Sequence, residues 1–177
     1  MGDLVTTRLV LHPLNPAEAE RLAAGDGGPR PAPDYPTDGD VSAARRFLNT
    51  CAADGDPRPF GTYQILLREN DRVIGGADFH GPADETGTVT IGYGLVPSAR
   101  GHGYASEALR ELLRFARARG ITRVKGDADL DNHASHHVMT AAGMHPTGED
   151  AHVRYFEITW PTPRRRLLRT VGARAMR

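Results

Sequence analysis

The strongest periodic pattern of hydrophobic residues lies in the middle of the chain, between residues 105 and 119. Apolar side chains recur there at intervals of three and four residues, and oppositely charged side chains three apart occupy the other face. This spacing predicts a helix over residues 106–119, which Gly120 is placed to end as a left-handed cap. The predicted buried face consists of Ala105, Ala108, Leu109, Leu112, Leu113 and Ala116.

Shorter patterns predict the other elements. Runs rich in β-branched and aromatic residues indicate strands, and capped stretches with helical spacing indicate helices. A stretch rich in proline and glycine at 25–39 predicts an irregular loop, either a solvated connector or a substrate-facing segment. Strands are expected at residues 4–11, 60–67, 72–79, 88–96, 121–130 and 153–160, and helices at 17–24, 42–53 and from 131 or 132 to 143.

The ends of the shorter helices carry polar residues suited to capping. Asn15 is expected to cap the first helix, Ser42 the second, and Asp131 or Asn132 the last. After the first strand and two helices, three strands are followed in turn by a helix, a strand, a helix and a strand. This order predicts an α/β or α+β fold with helices on both faces of one sheet. The last helix is expected to bury Ala134, His137, Val138, Ala141 and Ala142.

Composition narrows the class of protein. With 177 residues, of which 39% are hydrophobic and 25% charged, the chain is expected to form one globular domain. The single cysteine, Cys51, excludes an internal disulfide and a cysteine-based metal cluster. No charged and then apolar leader follows Met1, and no run is long enough to span a membrane, so a cytoplasmic protein is expected.

The net charge of zero hides a basic C-terminus. Residues 164–177 hold six arginines and no acidic residue, which leaves 16 basic against 22 acidic side chains in residues 1–163. We therefore expect a single domain over 1–163, followed by a basic tail or short helix over 164–177. The tail could contact nucleic acid, an anionic membrane or the neighbouring subunit of a homodimer, or it could simply be solvated.

Residues 100–105, Arg-Gly-His-Gly-Tyr-Ala, join a predicted strand to the long helix. Their two glycines let a ligand approach the backbone, and the following helix offers unpaired N–H groups and the positive end of its dipole. The segment therefore predicts an anion site. A dinucleotide fingerprint is excluded because Ser106 stands where a third Gly or Ala is required, and the Gly-Lys-Ser/Thr of a mononucleotide loop is absent.

What remains is Arg-x-x-Gly-x-Ala between a strand and an amphipathic helix. In this setting the segment resembles the acetyl-CoA loop of the GNAT superfamily of N-acetyltransferases, in a resemblance that runs from about Val89 to Met144 and more weakly to residues 7–11. It is closest to the branch of the ribosomal-protein N-terminal acetyltransferases and many antibiotic-modifying relatives. It implies the GNAT fold: a mixed, mostly antiparallel sheet of about seven strands, splayed apart where acetyl-CoA binds, with helices on both faces.

The resemblance also implies which residues bind acetyl-CoA. The pantetheine arm would pair with the backbone of Leu95 and Val96, on a strand that Gly92 and Gly94 leave bare on one face. A strand bulge is the alternative role for those glycines. Arg100 would contact the pyrophosphate or the 3′-phosphate of the adenosine. The loop residues that would bind the pyrophosphate are Gly101, His102, Gly103, Tyr104 and Ala105, with Ser106 able to add its hydroxyl.

A second family signature is Asn132-x-x-Ser135, followed by Ala142-Gly143-Met144. In the family this asparagine contacts the pantetheine arm, and it is equally suited to cap the helix. Many relatives place a tyrosine seven residues further on, which returns a proton to the departing thiolate, but this chain has Met139. The resemblance makes Ser135 the substitute acid, although a serine at a helix start is also an ordinary cap residue.

The usual base of the family is missing as well. Relatives frequently have a glutamate directly before the position of Ile91, and this chain has Thr90, whose hydroxyl cannot accept a proton from an ammonium near neutral pH. The remaining candidates are His80, at the end of the preceding strand, and Asp127 or Asp129, which alternate onto one face of the strand before Asn132.

No metal ion is expected. Residues 127–132 begin like a calcium loop but lack the glycine and the glutamate that complete one. His133 and His137 lie four residues apart, but no glutamate follows His133 as it does in zinc hydrolases.

Together these features predict an acetyl-CoA-dependent N-acetyltransferase that moves the acetyl group directly to a primary amine in a ternary complex. The acceptor is a protein α-amino group, an antibiotic or a small metabolite. Without a strong base, an amine of modest pKa, such as an α-amino group, is favoured over lysine. The alternative is a catalytically weak or inactive acyl-CoA-binding sensor or scaffold of the same fold, because both usual proton-transfer residues are missing.

Overall fold

The computed structural model describes residues 2–161, so the basic tail expected at 164–177 and the domain boundary at 163 lie outside the described residues. No helix in the described part is long and apolar enough to cross a membrane. The strands are β1 Leu4–Val5, β2 Leu9–Pro13, β3 Thr62–Leu67, β4 Val73–Phe79, β5 Thr88–Leu95, β6 Arg123–Asp129, β7 His145–Glu149 and β8 Val153–Thr159, and the helices are α1 Pro16–Ala23, α2 Asp38–Asp54, α3 Tyr104–Ala118 and α4 His133–Ala141.

All eight strands form one sheet in the order β1-β2-β3-β4-β5-β6-β8-β7. Every neighbouring pair is antiparallel except β5 and β6, which run parallel. The predicted fold class is therefore confirmed: a mixed, mostly antiparallel sheet in an α/β structure.

Helices cover both faces of this sheet. On one face, Asp78 of β4 contacts Arg46 of α2, and on the other, Tyr93 of β5 contacts Ser135 of α4. The two side chains lie on opposite faces because Asp78 is paired with Gly92, the residue before Tyr93. α3 lies on the second face with its predicted apolar stripe buried, and α1 packs beside α2 on the first. The core is made by the side chains between these two layers of helices and the sheet.

Two helices differ from the prediction. α2 begins at Asp38 rather than after Ser42, because Thr37 and Asp40 form a capping box at the end of the proline-rich segment. α4 buries His136 and Met139, whereas His137 is exposed. Of the predicted stripe, Val138 and Ala142 are partly buried, whereas Ala134 and Ala141 are exposed like His137, so the buried face of α4 is centred on His136 and Met139 instead.

The edges of the sheet also differ from the prediction. The strand expected at 4–11 is two strands, β1 and β2, that fold back on each other in antiparallel register. β7 was not predicted because all five of its residues are exposed and include Pro146 and Gly148, so no alternation of apolar residues marks it. It forms as an edge strand paired with β8.

β5 and β6 pair only where both begin. Residues Thr88–Thr90 lie opposite Arg123–Lys125, and the pairing stops there although β5 continues to Leu95 and β6 to Asp129. The two strands diverge beyond Thr90, as the predicted splay requires, and the gap opens between the C-terminal halves of both strands.

Candidate active site

The segment between β5 and α3 has the conformation of an anion-binding loop. Gly101 and Gly103 both lie in the left-handed region, with φ of +82° and +78°. α3 begins directly after Gly103, and no side chain caps it. Within residues 2–161, no protein group accepts a hydrogen bond from the N–H groups of residues 101–106. These N–H groups and the helix dipole are available to an anion.

The turn between β1 and β2 supports this loop from outside. Arg8 donates one guanidinium hydrogen bond to the carbonyl of His102 at 2.8 Å and another to the carboxylate of Glu107 at 2.7 Å. Its guanidinium also lies over the ring of Tyr104, 4.6 Å from the centroid. Burial of Glu107 opposes its ionisation, but hydrogen bonds from Thr6 and Arg8 outweigh that effect and lower its pKa. The loop is thus tied to the N-terminal strands.

A cavity of about 480 Å³ opens between the end of β5, the loop and α4. Its lining contains most of the residues predicted to bind acetyl-CoA, but neither Val96 nor His102 is among them. The side chain of His102 is exposed, and its carbonyl accepts the hydrogen bond from Arg8. The predicted residues in the lining are Leu95, Arg100, Gly101, Gly103, Tyr104, Ala105, Ser106, Asn132 and Ser135.

The backbone of β5 shows which residues face the gap. The N–H of Val96 donates to Ile74 of β4 at 2.9 Å, and its carbonyl accepts from Ala99 at 3.0 Å, so Val96 has no free backbone group for pairing. Because an antiparallel ladder uses alternate residues, Tyr93 and Leu95 direct their backbone groups away from β4, toward the gap. Leu95 therefore faces the gap as predicted, and the second residue whose backbone faces the gap is Tyr93 rather than Val96.

Arg100 extends the same edge. Its Nε donates to the carbonyl of Leu95 at 3.1 Å. Among residues 2–161 no carboxylate or carbonyl contacts its two Nη atoms. The guanidinium is thus anchored at one end of the cavity with its outer nitrogens available.

The start of α4 forms the opposite wall of the cavity. Asn132 caps the helix by accepting from the N–H of Ser135 at 3.1 Å, and it also lines the cavity. The Ser135 hydroxyl lies 2.9 Å from the hydroxyl of Tyr93. Met139 is 1% exposed and packs over Gly126 of β6, so the position of the family's tyrosine does not reach the cavity.

A second cavity, of about 210 Å³, lies on the other face of the sheet. Its floor is made of three glycines of β4 and β5, and α2 forms one wall. Tyr93 and Gly94 line both cavities, and a Cβ at Gly94 would meet no atom within 4 Å. The two cavities therefore meet at a bare point of β5. The floor residues are Gly76, Gly92 and Gly94, and the polar wall residues include Tyr35, Asp40, Arg46, Asp78 and His80.

Two buried carboxylates project over this floor. Asp40 Oδ2 accepts from the backbone and the hydroxyl of Thr37 at 2.8 and 2.6 Å, and Asp78 Oδ2 accepts from Arg46. Within the described residues no donor contacts either Oδ1. A Cβ at Gly76 would lie 2.8 Å from Oδ1 of Asp40, and one at Gly92 would lie 3.1 Å from Oδ1 of Asp78. The glycines thus leave room for both carboxylates.

Burial sets the protonation of this cluster. It raises the pKa of Asp40, although the hydrogen bonds from Thr37 work against it. It also raises the pKa of Asp78, against the attraction of His80 and Arg46. Burial lowers the pKa of His80, whose Nε2 lies 3.5 Å from Asp78 Oδ2, against the attraction of Asp78. The imidazole of His80 is therefore neutral near pH 7 and able to accept a proton.

The structure separates the three predicted proton-transfer residues. His80 lies at the second cavity and Ser135 at the first. Asp129 lines neither: its side chain is exposed, and its carbonyl accepts from the ring of His136 and the N–H of Asn132. Asp127, two residues earlier on the same face of β6, also lines neither cavity, but its charge favours the protonated form of His80 and so opposes the lowering of the His80 pKa.

Asp78, Asp40 and Tyr93 are site residues that the sequence reasoning missed. Asp78 carried a signal: it is a carboxylate within an apolar strand, two residues before His80 and hence on the same face. Asp40 had none, because its position depends on where α2 begins. Among the described residues, no group of three or more histidine, cysteine or acidic side chains is arranged to hold a metal ion.

Known proteins resemble this chain in sequence and in fold. The model of a family described as an acetyltransferase (GNAT) domain matches residues 8–145. The uncharacterized N-acetyltransferase YjdG of Bacillus subtilis is 26% identical over 126 residues, which cover 69% of this chain and 75% of that protein.

Solved structures show the same fold. The ribosomal-protein-S5-alanine acetyltransferase of Vibrio fischeri superposes with a TM-score of 0.65 at 12% identity, covering 90% of this chain and 97% of that one. RimL, a ribosomal L7/L12 α-N-protein acetyltransferase crystallised with coenzyme A, superposes with a TM-score of 0.64 at 18% identity, covering 88% of this chain and 96% of that one.

Proposed function

The chain belongs to the GNAT family of acetyltransferases, and from that premise we propose that it transfers the acetyl group of acetyl-CoA directly to a primary amine. The observation that carries the proposal is the meeting of two cavities at Gly94, one bordered by an anion-binding loop and the other by carboxylates and a histidine. A thioester in the first cavity and an amine in the second would meet there, so proximity would supply much of the rate.

The first cavity fits the parts of acetyl-CoA. The N–H groups of residues 101–106 would bind the pyrophosphate, and the Nη atoms of Arg100 would reach a phosphate oxygen. The backbone groups of Tyr93 and the N–H of Leu95 would pair with the pantetheine arm in the gap between β5 and β6, with Asn132 on the opposite wall. The carbonyl of Leu95 already accepts from Arg100. RimL, which shares the fold, was crystallised with coenzyme A, which supports this assignment.

The second cavity fits a cationic amine. Each of Asp40 and Asp78 presents one carboxylate oxygen without a protein donor among the described residues, and both lie over the glycine floor. An ammonium group entering from the open side would be attracted by both carboxylates. The cavity is small, about 210 Å³, so the acceptor would enter with its amine first and leave the rest of the molecule outside.

His80 is the base that we propose for the ammonium. It is neutral near pH 7, and its Nε2 would lie 3.3 Å from a Cβ at Gly92, over the floor of the cavity. After His80 takes one ammonium proton, the nitrogen lone pair forms the N–C bond as the C–S bond breaks. The nitrogen then gives a second proton to water, and the sulfur gains one from Ser135. A weak base of this kind favours an α-amino group over lysine.

The test is release of free thiol from acetyl-CoA against a panel of amines, with the product identified by mass spectrometry. The panel contains a peptide with a free α-amine, the same peptide acetylated at its N-terminus but with a free lysine, an aminoglycoside and a polyamine. We expect turnover with at least one primary amine at neutral pH, and a preference for the α-amine over the lysine. Binding of acetyl-CoA without thiol release above the uncatalysed rate would instead support the sensor or scaffold alternative.

A further inference from the structure

Tyr93 stands where the two cavities meet. Its ring leaves β5 on the face covered by α4, and its hydroxyl lies 2.9 Å from the hydroxyl and 3.2 Å from the carbonyl of Ser135. The residue is half-buried and lines both cavities. A carbonyl only accepts hydrogen bonds, so the phenol O–H is directed at Ser135 in either arrangement.

The other hydroxyls of the first cavity lie elsewhere. Tyr104 and Ser106 belong to the first turn of α3, where Tyr104 packs under Arg8 beside the anion-binding loop. Met139 is buried against Gly126 and has no proton to give. Tyr93 and Ser135 therefore form the pair of hydroxyls that lines the cavity beside Gly94, where the thioester sulfur and the amine would meet.

An aliphatic hydroxyl alone is a poor acid for a thiolate. The pKa of a thiol is about 8.5 and that of a phenol about 10, while a serine hydroxyl is far less acidic than either. A serine that gives its proton to sulfur must therefore receive another at the same time. A phenol in hydrogen-bond contact is the group able to supply it.

This inference rests on the proposed function. We propose that Tyr93 is a positioning residue that supplies a proton to the departing thiolate through Ser135. As the C–S bond breaks and its electron pair stays on sulfur, the sulfur takes the proton of the Ser135 hydroxyl, and Ser135 Oγ takes the proton of Tyr93. Water then reprotonates the tyrosinate. Burial raises the pKa of Tyr93, against the effect of the hydrogen bond between its hydroxyl and that of Ser135, so the phenol keeps its proton near neutral pH.

The first test needs no acceptor. The full chain is saturated with coenzyme A, and the bound thiol is titrated through the ultraviolet absorbance of its thiolate, with the complex of desulfo-coenzyme A as the blank for protein tyrosines. We expect a thiol pKa below that of free coenzyme A in the wild type and a rise of about one unit in Tyr93→Phe, which keeps the ring. Ser135→Ala should raise it at least as much, because the chain of hydrogen bonds ends there.

Tyr155→Phe is the matched control, because within residues 2–161 the Tyr155 hydroxyl contacts only Asp150, on the edge of the sheet and outside both cavities. Among the described residues, the other charged or titratable side chains that line the two cavities are Arg100, Tyr104 and His137 in the first and Tyr35, Asp40, Arg46, Tyr63, Asp78 and His80 in the second, which lies on the opposite face of the sheet from the Tyr93 ring. They are the same in every variant, so the difference isolates the hydroxyl. An unchanged thiol pKa in both Tyr93→Phe and Ser135→Ala would overturn the proposal.

The second test uses turnover. Tyr93→Phe and Ser135→Ala should each lower kcat about tenfold with KM for acetyl-CoA within twofold, and the double variant should be no slower than the slower single one. Effects that multiply in the double variant would contradict a shared path for the proton. If no amine yields free thiol even with the wild type, the proposed function fails, whereas the thiol titration still decides the role of Tyr93.

Discussion

The two cavities that meet at Gly94 are built from different materials. The first, which we call the donor cavity because we propose that acetyl-CoA binds there, would hold an anion through backbone N–H groups of one contiguous segment, residues 101–106, with two left-handed glycines. The second, which we call the acceptor cavity because we propose that the amine enters it, is polar because side chains of α2, of β4 and of the residue after β4 lie over a floor of glycines. A site made of backbone groups binds its ligand through shape and the helix dipole. A site made of titratable side chains also determines which of those side chains carry a proton.

This difference predicts that changes among the side chains of the acceptor cavity affect the chemical step, whereas changes in the loop of residues 101–106 affect the binding of coenzyme A. Variants of residues in each cavity separate these two effects.

Replacing His80 should have the largest effect. His80→Gln removes the neutral base of the acceptor cavity but keeps a polar side chain, so kcat should fall about 100-fold while the Kd for coenzyme A stays within twofold. Steady-state kinetics and calorimetry measure the two quantities. His145→Gln, on the exposed strand β7, is the control and should change neither. A loss of coenzyme A affinity in His80→Gln would break the separation between the two cavities.

Replacing a loop glycine should affect binding rather than chemistry. Gly101→Ala and Gly25→Ala place the same methyl group at φ of +82° and +88°, and neither Cβ would meet an atom within 4 Å. Both should lose about 1 kcal/mol of stability from the left-handed conformation. Only Gly101→Ala should weaken coenzyme A binding, by about tenfold, because its strain shifts the N–H groups of the loop.

Calorimetric titration with coenzyme A, beside thermal unfolding, tests this pair. Equal affinities for the two variants would show that the loop does not hold the phosphates.

The acid limb of the pH profile tests the charge cluster. Because the pKa of His80 is lowered, kcat/KM should hold down to a pH below the ordinary value of 6.5 and fall as His80 takes up a proton. Asp78→Asn removes a negative charge that favours the imidazolium, so the fall should move to still lower pH. Arg46 and Asp127 also act on His80 and remain in the variant. A limb that moves to higher pH would contradict the assignment of His80 as the base.

Removing the carboxylate of Glu107, which holds Arg8 behind the loop, should have the smallest effect. The pKa of Glu107 is lowered in the folded state, so its ionised form stabilises the fold above the unfolded value near 4.5, and this contribution is lost as pH falls through the folded pKa. Glu107→Gln should cost about 0.5 kcal/mol at pH 7, because its partner Arg8 is 44% exposed. Urea unfolding at pH 7 and below pH 4 measures it, and a cost that grows on acidification would have the wrong sign.

Particular residues show how far sequence reasoning reached. Helix α3 and the loop before it were predicted from local periodicity and two glycines, and the structure has both. The splay of β5 and β6 was expected from a family resemblance, which the family match bears out. Strand β7 escaped prediction because an exposed edge strand with Pro146 and Gly148 has no apolar pattern.

The candidate site shows the same limit. Asp129 and Asp78 are both strand carboxylates near a predicted site, yet only Asp78 lines a cavity, because the register of β4 against β5 brings it over Gly92. Alternate residues of β5 form hydrogen bonds with β4, so the N–H of Val96 is already bonded to β4 whereas that of Tyr93 points away from it. Which residues alternate in this way, and which residues of two strands lie opposite each other, does not follow from the residues of one strand.

The sequence encodes the donor half of the proposed site locally: a strand, a left-handed glycine loop and an amphipathic helix lie next to one another in the chain, and their local conformation forms the anion site that we propose. The rest depends on tertiary contacts. Packing brings Asp40 of α2 to Asp78 of β4 and to His80 directly after that strand, and the hydroxyl of Tyr93 to Ser135, 42 positions away. Protonation and proton transfer depend on burial and on contacts between distant segments, and these exist only once the sheet and its helices have packed.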